Sequence, residues 1–254
     1  MGSGRHTRLD IERHNEAQLK YFEQAGKRAM KPSATPYVRR QVDQLTRFGE
    51  LSEGERVLDV GCGMGRYTFD LAGRGLEVEG LDLSEELLRR FRSFDDGRYD
   101  IPLHCADILA PPTELEGQFD AVVGFFMLHH LHDLPSSFRA MGRLLRPGGR
   151  IVFLEPNPLN ALYYLQMLLV PGMSWQGDKG IVRMRRKVVF SAMGDAGLTG
   201  LAMGRFGFFP PFVTNRRFGA RAEDILQTIP LWRRFLPFQL FRGDRGASPP
   251  PAAS

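Results

Sequence analysis

Between Glu55 and Glu155, short apolar runs alternate with amphipathic ones. Val57–Val60, Glu77–Leu83, Pro102–Ala106, Asp120–Phe125 and Ile151–Leu154 are apolar segments bounded by turn residues, which predicts five strands. Helices are expected between them, from about Arg66 to Ala72, from Ser84 onward, and around Ser136–Leu145. Ser84-Glu85-Glu86 supplies a side-chain cap and negative charge to a helix start, where free N–H groups favour both. Arg146-Pro147-Gly148-Gly149 reads as a turn. Alternating strands and helices build a doubly wound α/β sheet, largely parallel, and such sheets bind ligands at the carboxyl ends of their strands.

The flanks follow other patterns. Residues 8–28 are polar with apolar marks at Leu9, Ile11, Leu19, Tyr21 and Phe22, and read as a helix. Thr35-Pro36 is an N-cap with proline at the first helical position, and Val38, Val42, Leu45 and Phe48 follow at helical spacing. Gly49 and Gly54 close that helix. Past Glu155, residues 156–186 hold prolines, glycines, an apolar helix candidate and the basic stretch Arg183–Lys187. A helix over 187–197 and strands over Leu201–Phe209 and Leu236–Phe241 come next, separated by a segment from Pro210 to Arg234. The division this suggests is a helical cap over 1–49, a main domain over 50–243 with lid insertions at 156–186 and 210–235, and a proline-rich disordered tail over 244–254.

Length and charge narrow this little. A chain of 254 residues buries a full core as one domain. The net charge of +5 comes from scattered basic residues, which argues against nucleic acid as a partner. The N-terminus lacks the apolar core of a signal peptide, and the apolar run Leu159–Val170 is too short for a bilayer, so a cytoplasmic protein is expected. Cys62 and Cys105 read as reduced thiols, and no His/Cys cluster suggests a metal.

The chemistry concentrates in Val57-Leu58-Asp59-Val60-Gly61-Cys62-Gly63-Met64-Gly65-Arg66. An apolar strand runs into a turn with three glycines at alternate positions, and a helix follows. Glycine lets the backbone turn tightly and lie against a ligand, and the helix beyond presents free N–H groups. In the dinucleotide pattern G-x-G-x-x-G the third glycine would stand at Arg66; here it stands at Gly65, and Asp59 precedes the turn. That departure points away from a pyrophosphate and towards an amino-acid-bearing nucleoside. Asp82 ends the second strand, 17 positions past Gly65, where a carboxylate accepts both hydroxyls of a ribose. Asp107 follows the third strand and can reach an adenine edge, with Ile108 against its face. Asp59 itself belongs to the ligand site or caps the turn.

Together, D-x-G-x-G-x-G at 59–65, Asp82, Asp107, the fourth strand ending Gly124–Leu131, and Arg146–Gly149 resemble the class I S-adenosylmethionine-dependent methyltransferases. The likeness is to the small-molecule branch related to the ubiquinone and menaquinone enzymes, over roughly residues 50–155. It implies a seven-stranded Rossmann-like sheet, mostly parallel with an antiparallel C-terminal strand and helical lid insertions. It also implies S-adenosylmethionine as cofactor, with Gly61, Gly63 and Gly65 along the methionine moiety, Asp82 on the ribose, and Leu83, Asp107 and Ile108 around the adenine. Phe125 would lie near the reactive sulfonium.

Methyl transfer asks the protein for alignment and exclusion of water, and for a base where the acceptor is a hydroxyl or amine. His129, His130 and His132 follow the fourth strand; His129 is slightly favoured as base, and Glu155 at the end of the fifth strand is a second polar candidate. Packed histidines without chemical duty are the alternative. The insertions are aromatic, with Tyr164, Trp175 and Phe209 among their side chains, and Tyr21 and Phe22 close the N-terminal side. Such surface favours a hydrophobic or aromatic small-molecule acceptor. Two alternatives remain at this level. The apolar and basic run Ile229–Phe238 fits a lipid methyltransferase at a membrane surface, and a noncatalytic cofactor-binding protein would carry the same motifs.

Overall fold

β4 (Phe119–Phe125) is buried along its whole length and occupies the middle of a seven-stranded sheet. The computed structural model describes residues 8–25, 30–161, 163, 164 and 179–247. The other strands are β1 (Arg56–Val60), β2 (Glu77–Asp82), β3 (Leu103–Cys105), β5 (Leu145–Pro156), β6 (Thr199–Phe206) and β7 (Phe238–Asp244), in the order β3-β2-β1-β4-β5-β7-β6. β1 to β5 pair in parallel, and β7 runs antiparallel to both β5 and β6. The mostly parallel Rossmann-like sheet with an antiparallel last strand is therefore present. Strand order reverses between β1 and β4, which opens a crevice at their carboxyl ends.

The helices are α1 (Arg8–Ala25), α2 (Pro36–Gly49), α3 (Thr68–Ala72), α4 (Glu85–Asp95), α5 (Leu134–Leu144), α6 (Arg186–Asp195), α7 (Pro211–Thr214) and α8 (Arg217–Leu226). Alternation along the strands sorts the core into two layers. Val57, Ala121, Val123, Val152 and Leu154 face α2 and α3, meeting Val42, Leu45 and Leu71. Leu58, Val122, Ile151 and Phe153 face α5 and α6, meeting Phe138, Met141, Val189 and Met193. The Thr35 cap forms, its hydroxyl accepting the Val38 N–H at 3.4 Å, and Ser84 caps α4 through the Leu87 N–H at 3.2 Å.

Several boundaries differ from the sequence expectation. Arg146–Gly149 is not a free turn but an irregular stretch of β5, whose pairing jumps from Phe119↔Leu145 to Ala121↔Arg150. It is held from outside, because the Arg245 N–H reaches the Gly149 carbonyl at 2.8 Å and the Arg245 guanidinium takes the Leu145 carbonyl. β7 consequently runs through Gly243 and Asp244, past the expected start of the tail. β6 starts earlier and stops at Phe206, where Gly207 turns the chain with φ +85°. α3 starts at Thr68 rather than Arg66. No helix among the described residues is long and apolar enough to cross a membrane.

Gly124 shows how tightly the centre is fitted. A Cβ there would collide with the Phe153 ring and lie 2.9 Å from the Val60 carbonyl oxygen. Gly124→Ala is expected to destabilise the fold by about 1–3 kcal/mol through overpacking. Urea unfolding would show this as a lowered midpoint with unchanged slope, and an unchanged midpoint would mean that the ring can yield.

Candidate active site

The glycine turn after β1 is fastened to the end of β2. The Gly61 and Cys62 N–H groups both donate to the Leu81 carbonyl, at 2.7 and 3.3 Å, and the Gly63 N–H donates to the Asp82 carboxylate at 2.8 Å. Gly61 and Gly65 have φ of +75° and +85°, a region costly for residues with a Cβ. Space also excludes a side chain at Gly65, where a Cβ would sit 2.5 Å from the Phe69 ring. Gly63 differs: the nearest atom to a Cβ there is the Met30 methyl at 3.6 Å, so the concave side of the turn stays open. Cys62 points away and packs with Leu88 and Phe91.

Two carboxylates lie under this turn. Asp59 is buried and accepts the Thr68 hydroxyl at 2.7 Å, tying β1 to the first turn of α3. Burial pushes its carboxyl up to about 7; the Thr68 bond opposes the rise and the Asp82 charge adds to it. Asp82 accepts the Ser84 N–H at 2.9 Å on its other oxygen. Burial raises its carboxyl too, against the pull of its backbone hydrogen bonds. Each oxygen keeps a lone pair for a further donor.

The remaining positions suggested by sequence divide into groups. Asp107 follows β3, and Ile108 beside it is buried. α1 roofs this side of the crevice: Asn15 donates to Asp107 at 2.7 Å, Glu23 accepts the Ser84 hydroxyl at 2.8 Å, and Phe22 meets the His130 ring edge-on at 4.9 Å. Leu83 stands between Asp82 and Ser84, partly buried. Glu155 is fully buried, and its carboxylate accepts the Met127 and Leu128 N–H groups at 2.9 and 2.7 Å. Its other oxygen meets His129 Nδ1 at 2.6 Å. Glu155 thus anchors the loop after β4, and buried His129 is its partner. His130 is partly buried and packs against the His129 ring at 3.9 Å. Arg183 is no solvated charge, because it clamps the same loop through the Leu131 and His132 carbonyls at 2.6 and 3.0 Å.

The aromatic wall differs from the one suggested by sequence. Tyr164 donates to the Pro158 carbonyl at 2.9 Å, and Phe209 packs on Phe208. Trp175 and the Tyr21 side chain lie outside the described residues. A further aromatic cluster joins partly exposed Tyr37, Tyr67 and Phe126 to buried Phe125, Phe206 and Phe238. Tyr67 stacks on Phe125 with ring centroids 4.2 Å apart and 8° between planes. Phe238 contacts Phe126, Phe206 and Tyr37 at 5.6, 5.4 and 6.1 Å. The Tyr67 hydroxyl donates to buried Gln41 at 2.9 Å, and burial pushes it up to about 12. Phe126 has φ +56°, an unfavourable conformation for a bulky residue and one that clusters at functional sites. Tyr67 had a sequence signal in its place two residues past Gly65. Tyr37, Phe126 and Phe238 come from distant segments and had none.

Comparison with known proteins now bears on this geometry. A family model described as "Methyltransferase domain" matches residues 57–149. The matched stretch, residues 57–149, is similar to that domain. It holds the glycine turn, Asp82, Asp107, Phe125, His129 and His130, but neither α2 nor β7. The ubiquinone biosynthesis O-methyltransferase of Alkalilimnicola ehrlichii is 36% identical over 134 residues, 49% of this chain and 54% of the relative. That of Aromatoleum aromaticum is 38% identical over 119 residues, 46% of this chain and 50% of the relative. The chain therefore spans about half the length of the curated relatives it matches. Among solved structures, Haemonchus contortus phosphoethanolamine N-methyltransferase 2 in complex with S-adenosyl-L-methionine aligns with a TM-score of 0.61 at 17% identity, over 97% of this chain and 61% of that one. The [4+2]-cyclase SpnF aligns with 0.60 at 19% identity, over 83% and 81%. These two share the fold.

The Asp59 environment has a measurable consequence. A carboxyl whose folded pKa exceeds its unfolded value near 4 holds its proton more tightly in the native state, so stability falls as pH rises from about 4 to about 7. Asp59→Asn keeps an acceptor for Thr68 and cannot ionise. Its advantage over the wild type should be absent near pH 4 and grow by about 1.4 kcal/mol per pH unit until about pH 7. Urea midpoints across that range would test it; parallel curves for the two proteins would show that Asp59 does not titrate there.

Proposed function

We propose that this chain is an S-adenosylmethionine-dependent methyltransferase that methylates a hydroxyl on a hydrophobic or aromatic small molecule. The observation that carries this is the open Gly61–Gly65 turn at the strand-order switch, bonded to Asp82 one strand away. Asp59 is buried and Asp82 partly buried, and no lysine or arginine figures among the causes that shift either carboxyl. The Asp82 carboxylate beneath a backbone cradle suits a ligand bearing an ammonium and a sulfonium better than a pyrophosphate. S-adenosylmethionine, when bound, supplies an electrophilic methyl group on a cationic sulfur.

The chain's own residues bind, orient and exclude water. Gly63 leaves room for the methionine end, Asp82 takes the ribose hydroxyls, and Leu83, Asp107 and Ile108 frame the adenine. Phe125, braced by the Tyr67 ring, walls the crevice beside the switch point. Tyr37, Tyr67, Phe126 and Phe238 form a flat-sided apolar surface for the acceptor. The hydroxyl acceptor follows from the curated relatives, which are named as O-methyltransferases. Such an acceptor gives up a proton as the methyl arrives, and in this reading the His129–His130 pair receives it. Glu155 acts as a positioning residue by holding His129 through Nδ1.

Methyl-labelled cofactor and a panel of phenolic and isoprenoid acceptors test the reaction, which should yield labelled product and S-adenosylhomocysteine. Asp82→Ala should weaken cofactor binding by about 1–3 kcal/mol, through lost charge-assisted hydrogen bonds. Unchanged affinity in calorimetry would remove the ribose assignment. Tyr37→Ala should raise the acceptor KM about tenfold, the scale of one lost aromatic contact, with cofactor Kd held within about twofold. An equal loss in both would instead place Tyr37 in the cofactor site.

A further inference from the structure

α8 is turned inside out. Its inward side is polar: buried Glu223 accepts the Thr214 hydroxyl at 2.7 Å and the Phe208 N–H at 3.0 Å, and lies 3.5 Å from Arg40. Its outward side presents Phe218, 85% exposed, and Ile225, 67% exposed, two turns apart on one stripe, beside exposed Arg221 and Asp224. The neighbouring segments continue that surface. Phe212 is 74% exposed, Leu231 is 72% exposed, and Trp232 and Phe235 are also open to solvent. Phe212, Phe218 and Arg216 line a shared cavity of about 330 Å³. An exposed apolar surface of this extent marks an interaction site.

Its charge is predominantly positive. Residues 210–235 contain five arginines and two acids. Both acids are taken by Arg40, Asp224 at 2.7 Å. Arg205, on β6 against the 233–235 turn, adds a guanidinium whose Nε is buried without a hydrogen-bond partner. Burial and the nearby Arg234 and Arg233 charges depress its basicity. Two copies joined through this face would bring like charges together, which disfavours a homodimer. Apolar side chains amid arginines on one outward face match the boundary of an anionic bilayer.

We propose that the outer face of residues 210–235 docks on an anionic lipid surface, with Phe212, Phe218 and Leu231 entering the acyl boundary and Arg216, Arg233 and Arg234 meeting lipid phosphates. The docked segment is bonded to the crevice. Asn157 and Asn160 donate to the carbonyls of Leu236 and Phe235 at 2.8 and 2.7 Å, and the Tyr37 N–H donates to Asn215 at 2.9 Å. Docking would thus hold the aromatic wall of the crevice close to a bilayer in which an apolar acceptor dissolves. Only this delivery step rests on the proposed reaction; docking does not.

Vesicle flotation of the full chain tests docking without acceptor or cofactor. Phosphatidylcholine vesicles carrying roughly a third phosphatidylglycerol should bind at least about tenfold more tightly than neutral ones, and about 0.5 M salt should release the protein. Phe212→Ser with Phe218→Ser, and separately Arg233→Ser with Arg234→Ser, should each lower binding about tenfold. Circular dichroism and S-adenosylhomocysteine binding should be unchanged in both, which separates lost docking from lost fold. Absence of binding to anionic vesicles would overturn the proposal, as would binding that neither double variant weakens. So would a dimer in sedimentation velocity that Phe212→Ser and Phe218→Ser dissolve. Release by millimolar inorganic phosphate at constant ionic strength would also overturn it, by assigning the arginines to a free anion. Because no turnover is read, none of these results touches the methyl-transfer assignment.

Discussion

The Leu81 carbonyl and the Asp82 carboxylate, accepting three N–H groups of the turn after β1, are the interaction on which the crevice depends. They hold a backbone run with repeated positive φ that no ladder hydrogen bond could stabilise. Because β1 and β2 are adjacent parallel strands in register, with Val60 opposite Leu81, the fastening point arrives where the turn needs it. The same carboxylate accepts its donors while burial works against its charge. The site therefore carries a standing electrostatic cost, which a cationic ligand would offset.

A second constraint sets the opposite wall. Glu155 spends its whole carboxylate below the loop after β4, on two backbone N–H groups and a histidine. With that loop pinned, the chain between Phe125 and Met127 passes through Phe126 in a left-handed conformation. The strain persists because neighbours on both sides over-determine it: the Phe126 N–H is bonded to the Leu154 carbonyl at 2.7 Å, and the ring lies against Phe238. Rigidity at the cofactor side and rigidity at the aromatic side thus have separate origins.

This separation explains what could be read from the sequence. The strand order, the glycine turn, Asp82 and the caps at Thr35 and Ser84 follow from short-range spacing, and spacing survives in a linear string. The aromatic wall does not. Tyr37 comes from α2, Tyr67 from beside the glycine turn, Phe126 from the end of β4 and Phe238 from the start of β7, and only the sheet brings them together. Composition pointed instead to the aromatic-rich insertions, where Tyr164 is occupied by a local hydrogen bond. Glu155 misled for a related reason: a carboxylate at a strand end in a parallel sheet looks available for chemistry, and only three-dimensional contacts show that its oxygens are taken. The end of β7 was missed because Arg245 holds Gly149 across the antiparallel pairing, a contact between residues almost one hundred positions apart.

The fold leaves the reaction open, since a [4+2]-cyclase and a phosphoethanolamine N-methyltransferase align with this chain about equally well. What separates methyl transfer from the alternatives must lie in the site. A purely structural use of the cofactor would require only the half built on β1, β2 and β3. Here the other half is developed too, with a braced Phe125, a strained Phe126 and a buried histidine held by a buried acid, all at the carboxyl end of one strand. A strained residue at a strand-order switch costs stability and brings no packing advantage that a simpler residue would lack. The convergence of these residues beside the apolar wall is what a transfer to a bound acceptor requires.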